Sequence, residues 1–459
     1  MDLADIEKIV EKQRIYFNTN VTKDVSFRLN QLKKLKTALI ENEQLLHDAV
    51  KKDFKKSAFE SFANEVFLVY EEIDIAVKNV KWWAKRKRVK TNLINFPAKS
   101  YRLPEPLGTT LVIGAWNYPY VTSLPPVISA IAAGNTVILK PSELANNASK
   151  AMYQIISEVF DQKYLAVVEG AVPETTTLLE QKFDKIFFTG SVPVGKIVYE
   201  AASKHLTPVT LELGGKNPTF ITESCDLKRA VQRMIWAKYL NSGQICVAPD
   251  YVLVHHSIKD KFIEAAKKEI EASQFSFENG NYVQIITEKH TDRLSKLIDP
   301  EKVVHGGEFN ISERYIAPTI MQDVSFDDPI MLDEIFGPIL PVISYDNLDE
   351  VISKIKSRPK PLAIYVFTKD KQVKQKLLSE ISSGTGAVNE ALMQITNPNL
   401  PFGGVGSSGM SSYHGKFGFD AFTHYKSILD KPNWMETNLK YFPHTPRKLK
   451  LIKQMFRIS

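Results

Sequence analysis

Apolar positions in the first part of the chain recur with a helical period. Within residues 25–54, leucines stand three, four or seven positions apart among lysines and glutamates, at Leu29, Leu32, Leu35, Leu39 and Leu46. This spacing places the leucines on one face of a helix and the charged residues on the other. The pattern therefore predicts an amphipathic helical N-terminal region.

Beyond residue 108 the pattern changes to short, apolar, β-rich runs with helix-compatible segments between them. The runs span residues 110–113, 136–139, 165–168, 185–188 and 209–213. Strands that are apolar on both faces and alternate with helices are typical of a parallel, doubly wound sheet. Such sheets bind ligands beyond the carboxyl ends of their strands, so the residues after each run are candidates for a site. A second α/β stretch is predicted from Asp226 to about Gly415.

The composition is that of a globular protein with two or three domains. The chain has 459 residues, of which 44% are hydrophobic and 24% charged, and a single core stops growing well below this length. The two cysteines, Cys225 and Cys246, form neither a disulfide framework nor a Cys-based zinc site, so we predict no metal centre. Because the acidic start Met1-Asp2-Leu3-Ala4-Asp5 does not resemble a secretory signal, we expect a cytoplasmic protein.

The net charge of +7 is concentrated at the C-terminus. Six basic residues and no acidic one fall within residues 440–459, which leaves only +1 for the 439 residues before them. A second basic run, Lys85-Arg86-Lys87-Arg88, follows two tryptophans and raises the question of a nucleic-acid partner. The run is short and the body of the chain is nearly neutral. We therefore expect a solvated arm or hairpin there, and no nucleic acid.

Two segments after predicted strands have chemistry that suits a dinucleotide. The segment from Gly190 to Gly195 lies between a strand and a helix, where free backbone N–H groups favour a phosphate. It lacks the GxGxxG fingerprint, so its spacing alone leaves open a turn in which glycine serves only the geometry. Lys140 and Glu143, at the end of another strand, are placed either to bind ribose hydroxyls or to form a solvated pair.

Cys246 stands in a polar loop, NSGQICVAP at 241–249, with glycine and proline on either side. A single cysteine is commonly a small buried apolar residue, whereas this setting also suits an activated thiol. Glu212 ends a predicted strand and is a candidate general base. Asn117 offers an amide donor for an oxyanion. Cys225 has no comparable setting and is interpreted as structural.

Seven motifs, in this order along the chain, resemble those of the aldehyde dehydrogenases, and the shorter class 3 and fatty aldehyde branch in particular. They are GAWNYP at 114–119, KPSE at 140–143, FTGS at 188–191, LELGGKNP at 211–218, GQIC at 243–246, EIFGP at 334–338 and PFGGVG at 401–406. VAPDY at 247–251 and SSYHGK at 411–416 are similar to the class 3 branch specifically. The resemblance spans most of the chain.

The resemblance implies a nucleophile, Cys246, a general base, Glu212, and an oxyanion donor, Asn117, which acts beside the Cys246 backbone N–H. The cofactor it implies is NAD, with NADP as the alternative, because a carboxylate at position 143 repels a 2′-phosphate. The implied cofactor contacts are Trp116, Lys140, Ser142, Glu143, Gly190, Ser191, Gly195, Leu213, Gly214, Glu334 and Phe336. The implied substrate-facing residues are Tyr118, Ile245 and Phe402, which suit an apolar ligand.

The activity that the resemblance implies is NAD-dependent oxidation of an apolar aldehyde to its acid, through a cysteine thiohemiacetal and a thioester. Long-chain aliphatic, aromatic and terpenoid or carotenoid aldehydes all fit. One alternative is a CoA-acylating enzyme, which the presence of Glu212 argues against. The other is a cofactor-bound protein of the membrane surface without turnover.

The resemblance also implies a domain plan. Residues 1–84 and 106–211 form a doubly wound NAD-binding domain, and residues 212–418 form a second α/β, catalytic domain. Residues 85–105 and 419–432 form a small β bridging arm that pairs subunits, so we expect a homodimer. Residues 433–459 form a basic tail.

The tail has its own helical pattern. Thr445 and Pro446 predict an N-cap and a first helical residue, after which Leu449, Ile452 and Phe456 share one face among basic residues. Such a helix either docks on the surface of the enzyme or its partner, or attaches weakly to anionic lipid.

Overall fold

The chain folds into two compact units. The computed structural model describes the backbone of residues 3–458 and the side chains of residues 3–454. The larger unit comprises Met1–Trp83 and Pro106–His424, and the smaller unit comprises Ala84–Glu105 and Tyr425–Ser459. The larger unit holds two mainly parallel sheets and the helices that follow their strands. The predicted α/β class is confirmed.

Helices account for much of the larger unit. None in the described part of the chain is both long and apolar enough to span a membrane. The α-helices are α1 (Leu3–Asn18), α2 (Val25–Glu41), α3 (Glu43–Phe54), α4 (Ala58–Ser61), α5 (Phe67–Trp83), α6 (Pro119–Ala133), α7 (Asn146–Val159), α8 (Val172–Glu180), α9 (Val192–Ser203), α10 (Leu227–Tyr239), α11 (Lys259–Ser273), α12 (Glu288–Ser295), α13 (Leu348–Lys356), α14 (Lys371–Glu380), α15 (Gly415–Ala421) and α16 (Pro446–Ile458). Shorter helical turns are the π-helical segment Phe62–Val66 and the 3-10 segments Val21–Lys23, Leu93–Asn95, Leu240–Gly243, His256–Ile258, Pro329–Met331, Met393–Thr396 and Asn438–Lys440.

The strands form two large sheets and two small ones. They are β1 (Lys87–Val89), β2 (Lys99–Pro106), β3 (Thr109–Ile113), β4 (Thr136–Lys140), β5 (Leu165–Val167), β6 (Lys185–Gly190), β7 (Val209–Leu213), β8 (Pro218–Ile221), β9 (Tyr251–His255), β10 (Val303–His305), β11 (Phe309–Asn310), β12 (Tyr315–Ile316), β13 (Thr319–Met321), β14 (Ile339–Tyr345), β15 (Ala363–Phe367), β16 (Thr385–Val388), β17 (Gly409–Met410) and β18 (Thr423–Asp430). Strands β11 and β12 form a separate two-stranded sheet.

The first large sheet has six strands in the order β17-β7-β6-β3-β4-β5. The five strands β3 to β7 are parallel to one another. The sixth strand, β17, pairs antiparallel with β7 at one edge of the sheet. These parallel strands correspond to the five runs predicted from sequence. One face is covered by α1, α8 and α9, whose apolar residues share a core with alternate residues of the strands. Side chains in the core alternate because neighbouring residues of a strand point to opposite faces.

The second large sheet has seven strands in the order β10-β13-β14-β9-β8-β15-β16. All of its pairings are parallel except that of β10 with β13. This sheet forms the second α/β region that the sequence predicts, but the region begins with β8, before the predicted start at Asp226. The assignment of the two sheets to a cofactor-binding and a catalytic domain, divided at residue 211, stays a prediction.

The amphipathic pattern of residues 25–54 forms two helices, α2 and α3, rather than one. Asn42 separates them with a non-helical backbone (φ −112°, ψ 21°), and its side-chain amide donates to the carbonyl of Ala38 at 2.9 Å. A side chain that bonds the preceding turn competes with continuation of the helix. Four of the five predicted leucines are buried and Leu29 is half-buried, so the apolar face is as predicted.

The smaller unit contains the predicted hairpin. Strand β1 pairs antiparallel with β2, and β18 completes a three-stranded sheet in the order β1-β2-β18. In the tail, α16 begins at Pro446 and the Thr445 hydroxyl accepts the backbone N–H of Lys448 at 3.3 Å, which confirms the predicted N-cap. Leu449 is exposed and Ile452 half-buried. Phe456, the third predicted apolar position, lies outside the described side chains.

Candidate active site

In the six-stranded sheet, four predicted site segments lie at the carboxyl ends of the parallel strands. The chain passes from β3 to β4 and β5 on one side, and reaches β6 and β7 on the other. In a doubly wound sheet, ligands bind outside the carboxyl ends of the strands at such a reversal. Asn117 follows β3, Lys140 ends β4, Gly190 ends β6 and Glu212 is the penultimate residue of β7.

Cys246 lies on a tightly bonded loop between α10 and β9. The chain leaves α10 through Asn241 and Ser242, whose backbones are both left-handed (φ 50° and 52°). The Asn217 side chain donates to the carbonyls of Cys246 at 2.8 Å and Ala248 at 2.9 Å. These hydrogen bonds hold the backbone from Cys246 to Ala248 and so fix the position from which the sulfur projects.

Burial raises the pKa of both the Cys246 thiol and the Glu212 carboxyl. Burial is the main cause that raises the pKa of Cys246 to about 12, and the carboxyls of Glu334 and Glu212 add to the shift. Glu212 is 3% exposed, and neither of its carboxyl oxygens has a hydrogen-bond partner among the described residues. Burial therefore raises the pKa of Glu212 well above its usual value. Each group has to lose a proton before it acts as a nucleophile or a base.

The side-chain amide of Asn117 points at the loop of Cys246. Its Nδ2 donates to the carbonyl of Gln244 at 3.1 Å, two residues before the cysteine. Asn241 Nδ2 donates at 3.1 Å to that same carbonyl and to the carbonyl of Asn117 itself. Because an amide nitrogen carries two N–H donors, Asn117 keeps a second donor for an oxygen formed at Cys246.

One cavity joins the predicted catalytic residues to the predicted substrate-facing residues. It has a volume of about 410 Å³, and its lining includes Cys246, Glu212, Asn117, Tyr118, Ile245 and Phe402. Most of the other lining side chains are apolar or aromatic, among them Phe67, Trp236 and Leu240. A mainly apolar cavity that contains a thiol, a carboxyl and an amide suits an apolar ligand with a polar reacting group.

A second cavity adjoins the first through Leu213, which lines both. Its volume is about 470 Å³, and it brings together four predicted cofactor contacts, Gly195, Leu213, Gly214 and Glu334. The side chain of Leu213 thus stands between the cavity of the thiol and the cavity next to α9. Two ligands bound in these cavities would approach each other at this residue.

The turn between β6 and α9 is built for close approach of a phosphate. Ser191 is the N-cap of α9 and its side chain makes no capping hydrogen bond, so the N–H groups of the first turn remain for a ligand. A Cβ on Gly195 would lie 2.7 Å from Leu213 Cδ2, and one on Gly190 would lie 2.5 Å from the ring of Phe188. The predicted glycines therefore serve both packing and access, and the turn fits the pyrophosphate of a dinucleotide.

Lys140, Ser142 and Glu143 form a turn directly after β4. The buried Lys140 Nζ donates to the carbonyl of Pro141 at 2.8 Å and lies 3.5 Å from the half-exposed carboxylate of Glu143. Burial lowers the pKa of Lys140, and Glu143 opposes that shift. The Ser142 hydroxyl accepts the N–H of Leu144 at 3.3 Å. A buried ammonium beside an accessible carboxylate fits the hydroxyls of a ribose.

Glu334 and Phe336 lie on one loop beside the strand end of Gly214. A Cβ on Gly214 would lie 2.0 Å from Glu334 Oε2, so a side chain at this position would displace the Glu334 carboxyl. Burial raises the pKa of Glu334 to about 8. Phe336 has a left-handed backbone (φ 52°), and its ring meets that of Trp116 edge-on, with centroids 5.4 Å apart. The loop therefore links the second cavity to the residue next to Asn117.

Sequence reasoning missed part of the wall of the first cavity. Tyr413 and His414 line it, and Tyr413 exchanges backbone hydrogen bonds with Phe402 at 3.2 and 2.8 Å. The His414 ring stacks on Tyr413, with centroids 4.3 Å apart. Both residues belong to the segment SSYHGK, so the signal was in the sequence, but its spacing does not show that it folds back on Phe402. No cluster of His, Cys, Asp or Glu in the described residues is arranged to hold a metal.

A doubly wound sheet with a phosphate cradle, next to a cavity that contains a thiol, is typical of dinucleotide-dependent oxidoreductases. The model of the aldehyde dehydrogenase family matches residues 1–428. The chain belongs to this family, whose members oxidise aldehydes with NAD or NADP.

Individual relatives match over nearly the whole chain. The 4,4′-diaponeurosporen-aldehyde dehydrogenase of Staphylococcus aureus is 46% identical over 456 residues, which cover 98% of this chain and 99% of that protein. The dimeric NADP-preferring aldehyde dehydrogenase of Rattus norvegicus is 43% identical over 450 residues, 97% of this chain and 99% of its own. The solved substrate-bound state of Staphylococcus aureus AldH superimposes with a TM-score of 0.96 at 46% identity and covers 98% of this chain and 99% of its own.

Proposed function

We propose that this aldehyde dehydrogenase oxidises an apolar aldehyde to its acid at Cys246. The observation that carries the proposal is the shared cavity of Cys246, Asn117 and Glu212, whose remaining wall is mainly apolar and aromatic. A polar aldehyde would leave its hydrogen-bonding groups unsatisfied against such a wall. Long-chain aliphatic, aromatic and carotenoid-type aldehydes all meet this condition, and the name of the Staphylococcus aureus relative supports the last of these.

The roles we propose follow from where each side chain lies. The Cys246 thiol loses its proton and its sulfur adds to the aldehyde carbon, which forms a thiohemiacetal. The free N–H donor of Asn117 and the backbone N–H of Cys246 hold the oxygen that becomes negative in this step, so they stabilise the transition state more than the bound aldehyde. When bound, the nicotinamide cofactor supplies the hydride acceptor. Oxidation leaves the acyl group on Cys246 as a thioester.

Glu212 is the proposed base for hydrolysis of that thioester. It takes a proton from a water molecule, which then attacks the acyl carbon. Because burial raises the pKa of this carboxyl well above its usual value, we expect hydrolysis to become faster as the pH rises and more of the carboxylate forms. A base at this position also argues for the carboxylic acid as product rather than an acyl-CoA.

NAD is the cofactor we propose, with NADP as the alternative. The residues that would hold it are the turns after β4 and β6 and the loop of Glu334 and Phe336. The half-exposed carboxylate of Glu143 lies where the ribose would bind and opposes a 2′-phosphate. The rat relative is named as NADP-preferring, so the preference has to be measured on this chain.

We also propose a cytoplasmic homodimer that makes peripheral contact with membranes. The three-stranded sheet of the smaller unit is the proposed bridging arm, and the name of the rat relative as dimeric supports it. The exposed basic helix α16 is the proposed point of contact with anionic lipid.

The test of the proposed reaction uses both cysteines. Cys246→Ala is expected to abolish NADH formation from a panel of apolar aldehydes and still bind NAD, whereas the matched control Cys225→Ala retains turnover. Glu212→Gln is expected to give one burst of NADH and then stop at the thioester. Turnover in Cys246→Ala would refute the proposal. A requirement for CoA in steady turnover would instead favour the acylating alternative, and cofactor binding without turnover of any aldehyde would favour the non-catalytic one.

A further inference from the structure

Three ionisable side chains lie buried beneath the turn that carries Asn117, and the proposed reaction uses none of them. Lys56, Glu60 and Glu65 are 0%, 7% and 0% exposed. Lys56 Nζ lies 2.8 Å from Glu65 Oε1. Removing two charges from water has a large desolvation cost, so a buried ion pair does not by itself stabilise a fold. The pair is therefore better explained by the backbone groups that it contacts than by the stability of the fold.

The ion pair contacts the backbone on both sides of Tyr118. Lys56 Nζ lies 3.4 Å from the carbonyl oxygen of Asn117, and Glu65 Oε2 accepts the backbone N–H of Tyr120 at 3.0 Å. Between them, the ring of Tyr118 lies over the ammonium at 4.3 Å. One ion pair thus anchors the turn at its start, and again where it enters α6.

The same turn is tied to the cysteine loop from the other side. The carbonyl of Asn117 that faces Lys56 also accepts Asn241 Nδ2 at 3.1 Å. The side chain of Asn117 donates to Gln244 at 3.1 Å. Asn117 therefore has the cysteine loop on one side and the buried ammonium on the other, and its amide has little freedom to move relative to Cys246.

Two unusual backbone features deliver the ion pair to this position. Lys55 has a left-handed backbone (φ 59°) that ends α3 and turns the next residue inward. Glu65 belongs to the π-helical segment Phe62–Val66 between α4 and α5. Such segments add one residue to a turn, shift the direction of the side chains and occur frequently at functional sites.

We propose that Lys56 and Glu65 are positioning residues that set the place of the Asn117 amide relative to the Cys246 sulfur. The inference rests on the proposed reaction at Cys246. Neither residue touches the sulfur. Without the pair the turn relaxes, and the oxygen formed at Cys246 loses part of its stabilisation. Apart from Tyr118, whose ring lies over Lys56, the apolar side chains that bind the aldehyde do not contact the pair, so the main effect belongs to the transition state rather than to substrate binding.

The experiment uses the full chain with both members of the ion pair replaced, Lys56→Met with Glu65→Gln, so that neither is left without its partner. Two rates are measured: oxidation of an apolar aldehyde with NAD, and cofactor-free acylation of Cys246 by an activated phenyl ester. We expect kcat and the acylation rate to fall by about 10- to 100-fold, as a displacement of about 1 Å produces, while KM changes by less than about twofold. Glu65→Gln alone keeps an acceptor for the Tyr120 N–H, and we expect a smaller loss.

Arg28→Met is the matched control. Arg28 is a buried cation that donates to the carbonyls of Thr22 and Lys23, both at 2.9 Å, and of Ala132 at 3.2 Å, outside both cavities. We expect this variant to have a lower Tm with kcat within about twofold of the wild type. If the double variant loses no more rate than Arg28→Met, or loses only substrate affinity, the positioning role is refuted.

Two other results are possible, an unfolded double variant and a wild type that does not oxidise aldehydes. If the double variant does not fold, the acylation rate of Glu65→Gln carries the test, and an unchanged rate refutes the proposal. Failure of the proposed function has a different signature, since the wild type itself would be acylated by the ester yet form no NADH from any aldehyde.

Discussion

Glu212 has an ionisation state that depends on folding. Inside the larger unit its carboxyl is buried and neither oxygen is hydrogen-bonded among the described residues, so its pKa lies well above 4.5. In the unfolded chain the same carboxyl ionises near its ordinary pKa. At any pH between the two values, the folded state binds a proton that the unfolded state has released, and stability falls as the pH rises.

Glu212→Gln should therefore stabilise the protein more at high pH than at low pH. The glutamine has nearly the same shape and no proton to lose, whereas each pH unit between the two pKa values costs the wild type about 1.4 kcal/mol. We expect similar Tm values at pH 4.5 and a higher Tm for the variant at pH 8, measured by thermal unfolding without cofactor. Glu158→Gln, on the exposed surface of α7, is the control. A Tm difference that does not grow with pH would contradict a raised pKa of Glu212 in the folded state.

At the scale of single residues, the sequence predicted which side chains are the candidate nucleophile and base, but not how far burial shifts their pKa values. The glycine and proline that flank Cys246 distinguish it from Cys225 and mark it in the sequence as the candidate nucleophile. Nothing in the sequence shows that the thiol has a pKa of about 12, because desolvation depends on side chains from β7 and from the loop of Glu334. The buried pair of Lys56 and Glu65 could likewise not be predicted, because both residues lie in charged stretches whose pattern is typical of solvent-exposed helices.

Among the elements, the turn after β4 is the one that we propose to select between NAD and NADP. Lys140 is buried at the strand end, and Glu143 stands beside it, 44% exposed. A carboxylate at this point accepts hydroxyl hydrogens of a ribose and repels a phosphate on the same sugar. The exposed position implies a modest repulsion, since water and salt screen it.

Glu143→Ala should shift the preference toward NADP. Loss of the carboxylate removes repulsion of about 1 kcal/mol for charges some 5 Å apart in water, and Lys140 is then left to attract the phosphate. We expect the ratio of kcat/KM for NADP to that for NAD to rise by about tenfold. Glu158→Ala, at the far end of the helix that follows, should leave the ratio unchanged. An unchanged ratio in Glu143→Ala would place the ribose elsewhere.

Elements with a strong local period were predicted well. The five parallel strands and the amphipathic N-terminal region follow from apolar spacing alone, and the start of α16 follows from its cap. The break between α2 and α3 was missed because a single asparagine, rather than the apolar pattern, causes it. The short strand β17 was missed because two residues carry no period, and only its pairing with Glu212 and Leu211 defines it.

At the scale of the whole molecule, the positive charge belongs to the smaller unit and not to the tail alone. Its 57 residues hold 15 basic and three acidic side chains, a net charge of +12 that leaves −5 for the rest of the chain. The basic hairpin and the basic tail, which are far apart in sequence, belong to this one unit. An anionic surface is therefore the partner its charge favours.

Deletion of residues 440–459 should weaken binding to anionic vesicles. The deletion removes six positive charges and the exposed apolar residues Leu449 and Leu451, which together contribute to attachment at a lipid surface. We expect the full chain to sediment with phosphatidylserine vesicles at low salt and to be released at high salt, and the shortened chain to remain largely in solution with its aldehyde dehydrogenase activity intact. Equal sedimentation of both proteins at low salt would show that the tail has another role.

The sequence by itself determined the α/β class, the order of the site motifs and the residue types that carry the chemistry, because these depend on local spacing and on neighbours along the chain. Tertiary structure decided which of those residues share a cavity, that Leu213 lies between two cavities, that burial raises the pKa of Glu212 and of Cys246, and that a buried ion pair contacts Asn117. The physical reason is that desolvation and hydrogen bonding depend on residues brought together from distant parts of the chain, and no local period records them.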